Sequence, residues 1–141
     1  MPSDLTAAFL YSQLQEIDDI QKRRLKLWEH YHKRLLPLRE AGKIYFPDLP
    51  EYATRNGNMF YIMMPDRQKR DEVLSAMHHE EVLAVFHYLP LHESAYFKKR
   101  HDGRELPNTK RFSDTIIRLP FYPELQFKQA DKICTLLEKL V

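Results

Sequence analysis

The sequence predicts an α/β domain in which a long N-terminal helix leads into a small sheet of about three strands covered by helices. Three observations carry that expectation. The segment from Ser3 contains neither Gly nor Pro until Pro37. Two short, almost wholly apolar runs, Met59–Met64 and Val82–Phe86, flank a stretch of helical periodicity. A closing segment from Phe127 again repeats apolar residues at helical spacing.

Taken in order, Ser3 and Asp4 are cap-type residues that open the first helix. Leu10, Leu14, Ile17, Ile20, Leu27, Trp28, Tyr31, Leu35 and Leu38 recur on one helical side and mark its apolar face. Such a helix is roughly 45–50 Å long at 1.5 Å per residue. That exceeds a small domain, whose compact radius is on the order of 13–15 Å. Residues 1–40 therefore read as a linking helix within a single 1–141 domain, one that bends or packs on something outside the chain. Arg24 falls at the centre of the apolar stripe, with Gln13 and Gln21 inside its angular range. A buried guanidinium needs acceptors. Either the helix kinks and Arg24 snorkels to water, or Arg24 and the nearby Trp28 meet a missing domain or a partner subunit.

Gly42 suits the position that ends the helix. Ile44–Phe46 is a short extended piece cut off by Pro47 and Pro50, and Glu51–Asn58 is a polar loop. Met59–Met64 reads as a buried strand that Pro65 stops, and Asp66 caps a helix running to about Met77 with Val73, Leu74 and Met77 inward. Val82–Phe86 is the second strand, and the β-α-β succession predicts parallel pairing with a right-handed crossover. Residues 87–106 are irregular, Asn108–Ser113 makes a helical turn, and Thr115–Leu119 forms a third strand ended by Pro120. The last helix buries Ala130, Ile133, Cys134, Leu137 and Leu140; it ends with the chain, so nothing is expected to be missing on that side.

Composition narrows the functional classes. In 141 residues, 43% hydrophobic and 30% charged, the net charge is +2; this fits a globular domain and gives no basic stripe of the kind that binds nucleic acid. No apolar run approaches the roughly 20 residues of a membrane helix. The amino terminus lacks a secretory pattern, and Cys134, the only cysteine, precludes an intrachain disulfide. A reducing, cytoplasmic setting is the expectation, with Cys134 a buried small hydrophobe.

The chemically dense stretch is His87–Tyr96, with two imidazoles and two phenols in ten residues directly after a buried strand. His87 and His92 do not have metal-ligand spacing, so no metal is expected. His78 and His79 end a helix, where the dipole accounts for them. Gly42, Gly57 and Gly103 form no phosphate-cradling loop, and no Ser or Cys sits in a nucleophile elbow. Arg24, Arg55, Arg104 and Arg118 are each available to an anion, as isolated surface arginines often are.

Several blocks together resemble the C-terminal domain of the DegT/DnrJ/EryC1/StrS sugar-nucleotide aminotransferases. They are Pro2-Ser3-Asp4-Leu5 with Ala7-Ala8-Phe9-Leu10 and Gln13-Leu14; Arg23-Arg24 with Trp28; Asn58–Ile62; Leu83–His92, containing His-Tyr-Leu-Pro-Leu-His; and Ile117–Tyr122, containing Arg-Leu-Pro. The resemblance implies the small domain of a fold-type-I enzyme that uses pyridoxal 5′-phosphate, glutamate as amino donor and a nucleotide-linked keto-sugar as acceptor. It implies a homodimer with active sites at the subunit junction, and a large domain carrying the Schiff-base lysine. By the same likeness His87, Tyr88 and His92 would lie at the rim of the substrate cleft, and Arg118 near the domain junction, where it would meet the donor carboxylate. No catalytic base is carried over: the reacting centre is expected ahead of Met1, and this chain alone is expected to hold no cofactor and to turn nothing over. The other reading is a module that dimerises, or that binds a full-length homologue or an aminotransferase large domain.

Overall fold

The computed structural model describes residues 3–141. Helix α1 (Asp4–Gln15) is capped by Ser3, whose hydroxyl accepts the Thr6 N–H at 3.3 Å. The long helix, expected to bend or to pack on something outside the chain, is broken at Glu16, which has φ −101° and ψ 9°, and resumes as α2 (Ile17–Glu40). Glutamate is a good helix former, so propensity does not make this break. The break divides the apolar stripe in two. Leu27, Tyr31 and Leu35 of α2 are buried, whereas α1 buries nothing, and Leu10, Leu14 and Ile17 are exposed. Helix α2 ends as expected: Gly42 (φ +71°) donates to the Arg39 carbonyl and Lys43 to that of Leu38, the paired bonds of a Schellman cap.

The strands β1 (Tyr61–Met63) and β2 (Ile116–Arg118) pair antiparallel, with Tyr61 opposite Arg118, Ile62 opposite Ile117 and Met63 opposite Ile116. Single bridges widen this sheet, Tyr45 to Met63 beyond β1 and Val85 to Arg118 beyond β2. The expected parallel pairing of Met59–Met64 with Val82–Phe86 is therefore corrected. The Val85 segment runs in the same direction as β1, but β2 lies between them, and the segment is a single bridge. Glu81 enters it with φ +59°, and the Ala84 N–H donates to Val82 at 2.8 Å, using up a group that a ladder would need.

Helix α3 (Arg67–His79) is capped by Asp66, which accepts the Lys69 N–H at 2.8 Å. Helix α4 (Pro107–Thr115) is longer than the expected turn and begins with Pro at its first position. Helix α5 (Phe127–Leu140) opens on a reciprocal Gln126–Gln129 cap. The core is closed by one face of the sheet and by α2, α3 and α5. Ile62 and Ile117 meet Tyr31 and Leu35, Val73 and Met77, and Cys134 and Leu137. The Tyr31 hydroxyl, buried with its ring, donates to the Pro120 carbonyl at 3.0 Å. Across the outer side of the α2–α5 seam, Asp131 accepts from His30 at 2.9 Å and pairs with Arg34 at 3.2 Å.

Candidate functional site

The irregular segment after Val85 is held at its root. Val85 exchanges backbone hydrogen bonds with Arg118 at 2.7 and 3.1 Å, and His78 Nε2 donates to the Ala84 carbonyl at 2.6 Å. His78 thus does more than sit at a helix end: it ties α3 to the root of the loop. Pro90 is buried, and Leu91–Glu93 makes one turn of 3-10 helix. The loop then folds over the start of α4 and leaves a groove on each side of it.

His87 and Tyr88 line the first groove, about 470 Å³, with Leu91, Thr109, Phe112 and Ile116. The two rings lie 4.4 Å apart. The His87 Nδ1 atom is buried without a hydrogen-bond partner, while Tyr88 is 75% exposed at the lip. An unpaired imidazole nitrogen under an exposed phenol is suited to hydroxyl or carbonyl groups of a polar ligand whose apolar side rests on Phe112. His92 is not in this groove. It lines the second, about 810 Å³, with His101, whose ring lies 5.1 Å away, and with Lys98, Arg104 and Lys110. The His-Tyr-Leu-Pro-Leu-His block therefore serves two grooves. His101, Lys98 and Lys110 were not singled out by the sequence reading; the run Lys98-Lys99-Arg100-His101 was the available signal.

Arg118 stands apart from both grooves. Ile117 points into the core, so Arg118 lies on the opposite sheet face, beside its cross-strand partner Tyr61. Its guanidinium makes no ion pair or side-chain hydrogen bond among the described residues. Burial, and then Tyr45 nearby, raise the Tyr61 phenol above its ordinary range.

Arg24 finds its acceptors inside the chain. Its Nε donates to the Gly57 carbonyl at 2.7 Å, a terminal nitrogen donates to Asn58 at 2.6 Å, and its cationic carbon lies 5.2 Å over Phe121. Trp28 is stacked on His32 at 5.1 Å and covered by Arg55 at 3.9 Å. Cys134 is fully buried, and burial pushes its thiol up to about 12, which makes it a poor nucleophile. Among the described residues no three His, Cys, Asp or Glu gather as a metal site. No described helix is long and apolar enough to cross a membrane.

A pyridoxal phosphate site needs a desolvated lysine, an acid for the ring nitrogen and phosphate donors in one enclosed place. None of the lysines is buried, and the half-buried Lys69 sits in the first turn of α3. These residues do not fit that cofactor by themselves.

A model of the DegT/DnrJ/EryC1/StrS aminotransferase family matches residues 2–138. The fold matches that of the aminotransferase TlmJ from Streptoalloteichus hindustanus with a TM-score of 0.87 at 20% identity, over 99% of this chain and 37% of that one. Against DesV from S. venezuelae the TM-score is 0.82 at 24% identity, over 94% and 35%. Against a DegT DnrJ EryC1 StrS aminotransferase from Brucella abortus it is 0.77 at 24%, over 94% and 34%. The chain thus spans about a third of the length of these structures.

Proposed function

The chain belongs to the DegT/DnrJ/EryC1/StrS aminotransferase family, and on that premise we propose that it is the small C-terminal domain of a sugar-nucleotide aminotransferase. The reaction is transfer of the amino group of glutamate to dTDP-4-keto-6-deoxyglucose, giving a 4-amino sugar nucleotide for surface polysaccharide, with pyridoxal 5′-phosphate held by a large domain. The family match over residues 2–138 supports this reading most directly. The groove of His87 and Tyr88 supports its assignment to substrate, because an unpaired His87 Nδ1 beside an exposed phenol offers hydrogen bonds to a sugar. The unpaired guanidinium of Arg118, beside Tyr61, suits a carboxylate such as that of the amino donor. His92 would act at the rim, from the neighbouring groove. Each of these residues binds or orients; none supplies the reacting centre, and the domain alone is inactive.

Turnover is the test. Mixed with pyridoxal phosphate, glutamate and the keto-sugar nucleotide, the 141-residue chain should produce no amino sugar. Joined to a family large domain it should do so, with His87→Ala and Tyr88→Phe raising KM for the sugar and Arg118→Ala raising KM for glutamate. Turnover by the chain alone would refute the assignment of chemistry to another domain. Unchanged KM values in the joined enzyme would refute the assignment of the three residues.

A second reading rests on α1, which buries no residue and exposes Leu5, Phe9, Leu10 and Leu14. In it the chain is an interaction module that pairs with itself, with a full-length homologue or with the large domain through that helix. Here α1 is the element on which binding depends, and a strictly monomeric chain that co-purifies with no such partner would refute it.

A further inference from the structure

We propose that Arg70 is a positioning residue for the groove of His87 and Tyr88, supporting the segment that carries them from behind without touching what the groove binds. Little else holds that segment. Among the described residues, no backbone group of Phe86, His87, Tyr88 or Leu89 makes a hydrogen bond to another backbone group. Backbone pairing ends at Val85, which bonds to Arg118, and begins again only where Glu93 donates to the Pro90 carbonyl at 3.0 Å. The path of 86–89 is therefore set by side-chain packing.

Arg70 reaches that segment from α3. It shares an inward helical face with Val73, Leu74 and Met77, and its side chain is only 7% exposed. Among the described residues it is the buried side chain that carries a charge. Its guanidinium lies over the Phe86 ring, 5.4 Å from the centroid. Beside it is a cavity of about 210 Å³ that Arg70 lines with Phe86, Leu89, Pro90 and Ser113. Leu89, Pro90 and Ser113 also line the groove of His87 and Tyr88, which Arg70 does not reach. These three residues are one wall, with the groove on one side and the guanidinium on the other. Phe86 precedes His87 and Leu89 follows Tyr88, so both flanks of the pair bear on the space that Arg70 occupies.

Packing alone does not call for an arginine. An apolar side chain at this point of the α3 face would be buried without loss of hydration, whereas a guanidinium must be desolvated and matched. Asp71 supplies the countercharge, its carboxylate 2.8 Å from the Arg70 Nε. The pair is misaligned, however: that Nε is buried and has no acceptor in hydrogen-bonding geometry. Asp71 balances the charge without directing the side chain, and Phe86 is the contact that directs it. A flat, delocalised cation can lie on an aromatic ring and still fill the space behind a loop; a compact ammonium does not do both. That Arg70 affects turnover rests on the reading of His87 and Tyr88 as sugar-binding groups. That it sets their position does not.

The NMR ring signals of His87 and Tyr88 in the 141-residue chain, assigned through His87→Gln and Tyr88→Phe, test the placement. Arg70→Ala and Arg70→Lys should each shift both signals and leave those of His30 and His32, on α2, in place. Arg67→Ala, an exposed arginine at the edge of the same cavity, should shift neither. Guanidinium chloride far below denaturing concentrations should return the signals of Arg70→Ala toward the parent by refilling the space, and should not do so for Arg70→Lys. In the joined enzyme Arg70→Ala should raise KM for the keto-sugar nucleotide about tenfold, as loss of one hydrogen bond would, and leave KM for glutamate unchanged. Arg70→Lys, which keeps the charge and the stem, carries the test by itself where Arg70→Ala does not fold. Ring signals that stay in place in the folded variants, that move together with those of His30 and His32, or that guanidinium fails to restore in folded Arg70→Ala would overturn the proposal. Shifted and restored signals with an unchanged KM would uphold it and refute instead the assignment of the groove to the sugar.

Discussion

Arg24 and Gly57 are locked together from both directions. The guanidinium donates to the Gly57 carbonyl at 2.7 Å, and a Cβ on Gly57 would lie 3.1 Å from the Arg24 Cβ and 3.3 Å from the Leu25 nitrogen. The loop before β1 thus rests on the backbone of α2, and a side chain at residue 57 would push it away.

Gly57→Ala should accordingly destabilise the domain by about 1–3 kcal/mol, since φ is +56° and the added methyl meets backbone. Arg24→Met, which keeps the stem and loses the donors, should cost about 1.5–3 kcal/mol. The two losses should be less than additive in urea unfolding, because both release the same loop.

Acid should weaken the same region in two separate steps. Burial, then the neighbouring Arg55 and Arg39, lower the His32 imidazole below 6.5, with Asp48 opposing. At higher pH the ring is neutral in both states and contributes nothing. As pH falls below 6.5 the unfolded chain takes the proton first, so stability declines until the folded-state value is passed. His32→Gln should remove this step. The Arg39 hydrogen bond holds the Asp48 carboxyl below 3.8, so its contribution is present above that value and lost as pH falls through the folded-state value. Asp48→Asn should remove this lower step and, because the Asp48 charge opposes the His32 shift, enlarge the higher one. Urea midpoints measured across pH would separate the two; a His32→Gln profile that matches the parent would contradict the first.

Cys134 should resist a thiol reagent in the folded protein and react once the chain is unfolded, because the thiol is buried and raised to about 12. Its neighbour Leu137, also fully buried, should cost about 2–5 kcal/mol when changed to Ala. Leu137→Ala should therefore speed labelling of Cys134, and labelling of the parent at the rate of a free thiol would contradict the burial.

Deletion of residues 1–15 should change the unfolding midpoint little, within about 0.5 kcal/mol, because α1 buries no side chain in the domain. If α1 is instead covered by a second copy, the deletion should lower the mass observed by light scattering. A large loss of stability in a monomer would show that α1 contributes to this core.

The legible features were those written within a few consecutive residues. Leu27, Tyr31 and Leu35, or Ile133, Cys134 and Leu137, follow the helical repeat, and their burial agrees with it. Asp66 and Gly42 mark helix ends through their own side chain or its absence. A bend in the long helix was one of the two readings, but its position at Glu16 was not legible, since no Gly or Pro announces it and the pattern continues across it. Nor was the division of the histidine loop: His87 and His92 are five positions apart, yet the start of α4, some twenty residues onward, separates their grooves.

By itself the sequence determined the inward faces of α2, α3 and α5 and the membership of residues 2–138 in an aminotransferase family, and it pointed to candidate residues around His87. Only the tertiary structure decided that β2 inserts beside β1, that Arg24 is satisfied by Gly57 and Asn58, and that Lys98, Arg104 and Lys110 face one groove. The physical reason is range. A helix forms its hydrogen bonds four residues away, so periodicity records it. Strand order and side-chain partners join segments tens of residues apart, and many pairings satisfy the same apolar pattern until packing selects one.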